Sequence, residues 1–311
     1  MAAERARLTV LLPTYDRAAS VSRTIESVLG QTRDDLELLI SDNASEDDTE
    51  TVCQGYAQRD PRVRYVRQPV NLGPIGNFNW LLTEASSEFV LLLADDDWLD
   101  DDYLERCLAI IEGDASLSIV TGATRYYEGE EPPELMLNTE LLDASGALRV
   151  MRYLRHSWSS AAFYGVLRTS AVKVALPIPN VMGADWLFVA ALAFAGRVVT
   201  TTETHLNRAR GGTSASFQRI AEVSGLPARA ARNPHLAIAR NQFRDIARDS
   251  AAYEALSRSR RIALGLAAAG AIVVGHPFDI LWDAVGPLIL HRRVIAVTGP
   301  LRDRWRASHP L

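Results

Sequence analysis

The stretch ADDDWLDDDYL at 94–104 follows directly on the apolar run FVLLL at 89–93. Asp95, Asp96 and Asp97 are adjacent, and like charges so close disfavour their own ionised forms unless a cation balances them. Carboxylate oxygens select hard cations, Mg2+ or Mn2+, and such ions in turn hold diphosphate oxygens. The second triplet, Asp100, Asp101 and Asp102, is read as the acidic start of a helix, favourable to its dipole. Three weaker clusters stand in equivalent positions. Pro13-Thr14-Tyr15-Asp16-Arg17 closes one apolar run, Ser41-Asp42-Asn43-Ala44-Ser45 closes another, and Asn71-Leu72-Gly73 with Asn77 follows a third. A carboxylate such as Asp42 can accept from a base N–H or a ribose hydroxyl, while Ser45 caps a helix.

These clusters need a scaffold that delivers them to one edge. LTVLL at 8–12 reads as a buried strand ending at Pro13, and LELLIS at 36–41, RVRYVRQ at 62–68 and FVLLLA at 89–94 read as further strands. Between them, Val21, Ile25, Val28 and Leu29 recur on one helical face, a capping-box-like Ser45…Asp48 predicts a helix over 46–58, and helical sequence runs from about Ile75 to Ala85. Strands alternating with helices predict an α/β fold, a mostly parallel sheet flanked by helices and wound by right-handed crossovers. In such sheets ligands sit outside the carboxyl ends of the strands, where all four polar clusters fall. Further on, SAAFYGVLR at 160–168 and RVVTTT at 197–202 read as strands and Gly183 to Ala195 as a helix. EGEEPPE at 128–134 reads as an acidic loop, RARGGTSAS at 208–216 as a mobile one, and the remainder as arginine-rich helix.

Charge is divided unevenly. Residues 1–150 carry 29 Asp and Glu against 12 Lys and Arg, whereas residues 151–311 carry 9 against 21. The acidic half excludes a nucleic-acid backbone as partner. Cys53 and Cys107 lack metal-site or disulfide-framework spacing and are expected as buried small hydrophobes. Charges at Glu4, Arg5 and Arg7, with only a short apolar run after them, do not make a secretory leader, so the expected location is cytoplasmic. Residues 262–278 are uncharged but interrupted by Gly265, Gly270, Gly275, His276 and Pro277. A spanning helix needs about 20 apolar residues. The run is therefore expected as a packed helix, a homodimer contact or a peripheral contact at the inner face of the membrane.

Taken together, LLPTYDR, SDNASEDDT, the Asn71-Leu72-Gly73 turn and LLLADDDWLDDDYL resemble the family 2 glycosyltransferases of GT-A fold, over residues 8 to about 215. The resemblance implies an inverting, Mg2+- or Mn2+-dependent transfer of sugar from a nucleotide-diphosphate donor to a carbohydrate, lipid-linked or small-molecule acceptor. It implies a GT-A domain over 1–215, with a nucleotide-sugar half to about 122 and an acceptor half from about 123, followed by a helical C-terminal region at 216–311. Pro13, Thr14, Tyr15 and Arg17 would line the nucleotide pocket. Asp42 would contact the base, with Asn71, Gly73 and Asn77 near it. Asp97, with Asp95 or Asp96 as its partner, would ligate the metal, and Asp96 would hold the ribose or donor sugar. Asp185 would be the catalytic base; helix capping is its structural alternative. Arg210 stands where the family often carries a histidine, and would pair with the diphosphate instead, with Arg208 beside it. His205 is a further candidate there. The Gly-rich loop would close over the donor, and Trp98, Trp158 and Trp186 are candidate sugar-stacking or core residues. Two other readings compete: a non-catalytic sugar-nucleotide or carbohydrate-binding relative, and a sugar-1-phosphate nucleotidyltransferase. PTYDR lacks the Gly-rich loop that the latter needs.

Overall fold

The computed structural model describes residues 6–129, 132–137, 140–156, 161–210, 216–277 and 279–280. Trp158, the glycines of the 208–216 loop and residues 281–311 lie outside the described residues. In chain order the elements are β1 (Leu8–Thr14), α1 (Val21–Leu29), β2 (Leu36–Asp42), α2 (Thr49–Arg59), β3 (Val63–Arg67), α3 (Gly73–Glu84), β4 (Phe89–Leu92) and β5 (Trp98–Leu99). Then come α4 (Tyr103–Gly113), β6 (Leu117–Tyr127), β7 (Glu134–Met136), α5 (Gly146–His156), β8 (Val166–Arg168), α6 (Thr169–Ala175), α7 (Ala184–Ala195) and β9 (Arg197–Ala209). The chain continues with α8 (Phe217–Val223), α9 (Ala228–Arg232), α10 (Pro234–Arg244) and α11 (Arg258–Gly275).

One sheet runs β3-β2-β1-β4-β8-β6-β9-β5, with β7 on β6. The strands β3, β2, β1 and β4 are mutually parallel, as are β6 and β9, while β8 and β5 run against their neighbours. Side-chain alternation splits the apolar runs between two cores. Leu8, Val10 and Leu12 face α1 and α4 with Leu38, Ile40, Phe89 and Leu91, whereas Leu11, Leu39, Val90 and Leu92 face the layer of α3, α5 and α7. Burial on both faces is why these strands read as continuous hydrophobic runs. The helical C-terminal region shares the second core, since Ile238, Ile246, Leu264 and Ile272 cluster with Leu92 and Phe188. Cys53 and Cys107 are buried and unbridged.

Some boundaries differ from the sequence reading. β1 continues through Pro13, which is tolerated because β4 pairs with β1 only as far as Leu11, leaving no donor needed on that side. Helix α2 starts at Thr49 rather than 46, because Ser45 is occupied elsewhere: its hydroxyl accepts the Asp16 N–H at 3.0 Å and its N–H donates to Asp42 Oδ1 at 2.8 Å. In the expected strand at 160–168, Ala161–Tyr164 is a 3-10 turn and only Val166–Arg168 is extended. β9 runs seven residues past the expected end at 202, and β6, unread in the sequence, lies beside it.

The apolar run at 262–278 lies mostly in α11, which buries Leu264, Ala268, Ala271 and Ile272 and exposes Ile262, Leu266, Val273 and Val274. Among the described residues no helix is long and apolar enough to cross a membrane.

Candidate active site

The carboxyl ends of β1 and β4 open onto a cleft of about 600 Å³, lined by Pro13, Thr14, Tyr15 and Arg17 on one side and by Asp95, Asp96 and Asp97 beside them. Asn71 and Asn77 also line it, as do Asp185 and Trp186 from the start of α7. The four polar clusters therefore all contribute to one cavity.

The register of the short strand β5 decides what the aspartates meet. Trp98 pairs with Asn207 and Leu99 with Leu206, so the residue before Trp98 comes beside the residue after Asn207. That places Arg208 Nε 2.9 Å from Asp97 Oδ2, both side chains being nearly excluded from water. The guanidinium also lies 4.4 Å from the centre of the Tyr164 ring, a cation–π contact. Arg17 Nε lies 3.1 Å from Asp95 Oδ1. Burial pushes the Asp97 carboxyl up to about 7, against the opposing charge of Arg208. Burial likewise pushes Asp95 up to about 6, against Arg17. Burial alone would lower the Arg208 pKa, but Asp97, Tyr164, Tyr126 and Asp96 hold it above its ordinary value.

These residues fit a divalent cation. The donors are hard carboxylate oxygens, two of them carry pKa values raised by burial, and Asp97 Oδ2 is a buried atom with no aligned hydrogen-bond donor despite its ion pair. Two guanidinium groups, those of Arg208 and Arg17, face three carboxylates, so the cluster stays under-neutralised and a cation would offset the remainder.

Asp185 is not the helix cap. Gly183 occupies that position with φ +78°, and Asp185 stands in the first turn, half-buried and facing the cleft. Gly183 is required twice over, by its left-handed backbone and by Ile238 of α10, whose Cγ1 would lie 2.7 Å from an added Cβ. The first turn of α7 is thus seated on the C-terminal region.

Other candidates are placed differently. Asp42 does not line the cleft. Alternation along β2 turns it inward with Leu38 and Ile40, where it is fully buried, its Oδ1 accepting from the Ser45 N–H and its Oδ2 from the Tyr65 hydroxyl at 2.7 Å. Asn43, one residue on, lines the cleft instead; its side chain donates to Asn71 Oδ1 at 2.9 Å and accepts the Leu72 N–H at 2.8 Å. Gly73 lies outside the lining and serves the turn, with φ +70° and its N–H on Asn71 Oδ1 at 2.8 Å. Asn77 is buried and donates to the Ser41 carbonyl at 3.0 Å.

Arg210 also lies outside the lining. It follows the last residue of β9 and is drawn outward by Glu134 and Glu128. His205 is held away from the cleft by Asp100, Nδ1 to Oδ2 2.8 Å. Asp100 is therefore less a helix-start charge than a bracket, accepting also from Asn207 at 2.9 Å, while Asp102 precedes α4 as expected. Trp98 packs under the Arg23 guanidinium, 3.1 Å from its ring centre, and among the described residues Trp186 is the tryptophan that reaches the cleft. Nothing local separates Arg208 from Arg210, two residues apart on the same parity, whereas the signal for Asn43 is the period of two along β2.

A family model described as Glycosyl transferase family 2 matches residues 9–168. Among curated relatives, the GalNAc(5)-diNAcBac-PP-undecaprenol beta-1,3-glucosyltransferase of Campylobacter jejuni is 42% identical over 94 residues, 30% of this chain and 30% of that protein. The chondroitin synthase of Escherichia coli is 32% identical over 123 residues, 40% of this chain and 18% of that one. The alignments thus span less than a third of either relative. Among solved structures, S. aureus TarS 1–349 matches with a TM-score of 0.63 at 17% identity, over 92% of this chain and 76% of that one. The mannosyltransferase PcManGT from Pyrobaculum calidifontis, in complex with GDP-Man and Mn2+, matches with a TM-score of 0.51 at 18% identity, over 95% of this chain and 84% of that one. At such identities the likeness is one of fold, the GT-A arrangement with a helical C-terminal region.

Proposed function

The chain belongs to glycosyl transferase family 2, and we propose that it moves a sugar from a nucleotide-diphosphate donor to an acceptor hydroxyl with inversion, in a reaction that depends on a divalent cation. The observation that carries this reading is the meeting of Asp95–Asp97, Arg208 and Asp185 in one cleft. Residues up to about 122 serve the donor, and the later part of the domain, to 215, serves the acceptor. Mg2+ or Mn2+, held by Asp97 with Asp95, would offset the charge that builds on the departing diphosphate. Asp96 faces the ribose or donor sugar. Arg208, already carrying a buried positive charge, turns from Asp97 to the diphosphate oxygens. Arg210 is left with its surface acids.

Asp185 takes the proton from the acceptor hydroxyl. The acceptor oxygen bonds to the anomeric carbon as the carbon–oxygen bond to the diphosphate breaks, and the nucleoside diphosphate leaves with both electrons. Attack on the face opposite the leaving group inverts the centre. Trp186, next to this base, offers a ring for the sugar. The apolar wall formed by Phe217, Ile220 and Val223 suits the less polar part of an acceptor, whether glycan, lipid-linked or small molecule. The first donor to test carries UDP, because TarS 1–349 has been solved with UDP-GlcNAc.

The test is calorimetric titration of UDP, GDP, dTDP and CDP with and without Mn2+. One nucleotide should bind at least tenfold more tightly with the ion present, and its sugar conjugate should release that nucleotide when acceptor is added. Equal affinity with and without Mn2+ would remove the metal from the reading; absence of any nucleotide binding would remove the transferase.

A further inference from the structure

Behind Trp186 the chain assembles a second set of ligating atoms, of a different chemical kind. His235 comes from the first turn of α10, and His276 and Asp279 from the turn that follows α11. One ligating atom from each of the three lies within 4.8 Å of the others. His276 Nδ1 is 3.7 Å from Asp279 Oδ2, and the two imidazole rings are 4.9 Å apart, inclined by 22°. Both histidines are more than nine-tenths buried. The His276–Asp279 spacing is a helical one, and the Ile280 N–H donates to the His276 carbonyl at 3.0 Å, so the backbone is wound as needed to put both side chains on one side.

The arrangement differs from the cleft aspartates in what it would select. Two imidazoles and one carboxylate suit a first-row transition metal, and disfavour Mg2+, which demands oxygen. Zinc takes three such protein ligands at about 2.0–2.2 Å and fills its fourth position with water. Donors on a tetrahedral zinc stand about 3.4 Å apart. Closing 4.8 Å to that separation needs movements of the order of an ångström, within reach of side-chain rotation.

We propose that His235, His276 and Asp279 bind a transition-metal ion, Zn2+ being the probe, as a clamp between α10 and the end of α11. The clamp would also set one wall of the cleft. The Trp186 ring lies 5.3 Å from that of His276, and Phe217, another cleft residue, lies 5.4 Å from His235. The site is separate in composition and position from the oxygen donors of Asp95–Asp97, so it stands whether or not the sugar-transfer reading does.

The test uses the full chain, stripped with chelator and titrated with Zn2+ and, separately, with Co2+. The expected result is one Zn2+ per chain, unaffected by excess Mg2+ or by Asp97→Asn. The affinity should fall at least a hundredfold in His276→Gln and tenfold in Asp279→Asn. Co2+ should show the visible absorption of a nitrogen-ligated, low-coordinate ion. If the histidine variant does not fold, the Asp279→Asn affinity and the wild-type Co2+ spectrum decide. Zinc affinity that is unchanged in Asp279→Asn and in any folded histidine variant overturns the proposal, as does zinc that Asp97→Asn removes or a Co2+ spectrum of the hydrated ion.

Discussion

Asp97 is 1% exposed and still carries two neighbouring carboxylates. Its role and that of Asp185 can be separated by what each substitution spares. Asp97→Asn keeps the shape but removes the charge, and should abolish the Mn2+-dependent part of nucleotide binding; undiminished affinity in the presence of Mn2+ would sink the metal assignment. Asp185→Asn should leave donor affinity within twofold and lower turnover by a factor of the order of 10²–10⁴. Near-normal turnover would exclude it as base. The two arginines offer an internal comparison. Arg208→Ala should cut turnover by about 10–10³-fold through loss of leaving-group stabilisation, whereas Arg210→Ala, which frees Glu128, Glu134 and the face of Tyr126, should change it less than twofold. Steady-state kinetics on the pair decides between them, and the reverse order would restore Arg210 to the site. Asp95–Asp97 were legible from residue type and adjacency alone, and Asp185 through the family resemblance. Arg208 and Arg210 were legible only as a pair beside the diphosphate: nothing local distinguishes them, and only the pairing of β5 with β9 turns one inward while surface acids hold the other outside.

Elements place these residues through two contacts that are far apart in sequence. The first is the two-residue strand β5, whose register against β9 puts Asp97 opposite Arg208. The second is the seat of α7 on α10 at Gly183 and Ile238. Gly183→Ala forces an unfavourable left-handed backbone and a close contact together, and should cost about 1–3 kcal/mol of stability. Denaturant unfolding measures the loss, and Ile238→Ala in the same chain should recover part of it by making room. No recovery would mean that backbone strain alone sets the cost. Elements with strong apolar periodicity, such as β1, α1 and β4, were readable because a single face or a continuous run announced them. The strand β6 was missed because Ser118, Thr121, Gly122, Ala123 and Thr124 dilute its hydrophobic contrast, and the far half of β9 because Leu206 and Ala209 are its only apolar residues. Their extended state is fixed by pairing with each other.

At the scale of the molecule, the acidic and basic halves are interleaved in one sheet, and ion pairs such as Asp97–Arg208 and Glu203–Arg106 join strands and helices from both. The C-terminal helices complete the core and carry a buried charge of their own. Burial pushes Asp245 up to about 7, with Asp249 adding repulsion and Arg261 opposing. The unfolded carboxyl releases its proton near 3.8, so between about 4 and 7 the folded state binds more protons than the unfolded one. Stability from this group is fully present below that window and is lost as the pH rises through it, by up to about 4 kcal/mol. Asp245→Asn should flatten the stability profile between pH 4.5 and 7.5 in urea titrations; an unchanged slope would mean that the carboxyl is ionised throughout. The sequence by itself determined the α/β class, the edge where a ligand must sit, and the acidic cluster with its preference for a hard cation, because these follow from hydrophobic period and local charge density. Only the tertiary structure decided that Arg208 and Asn43 face the cleft while Arg210 and Asp42 do not, and that His235 meets His276 across 41 residues. Strand register and helix seating are set by long-range packing, and a shift of one residue in a strand reverses which side chain faces the site.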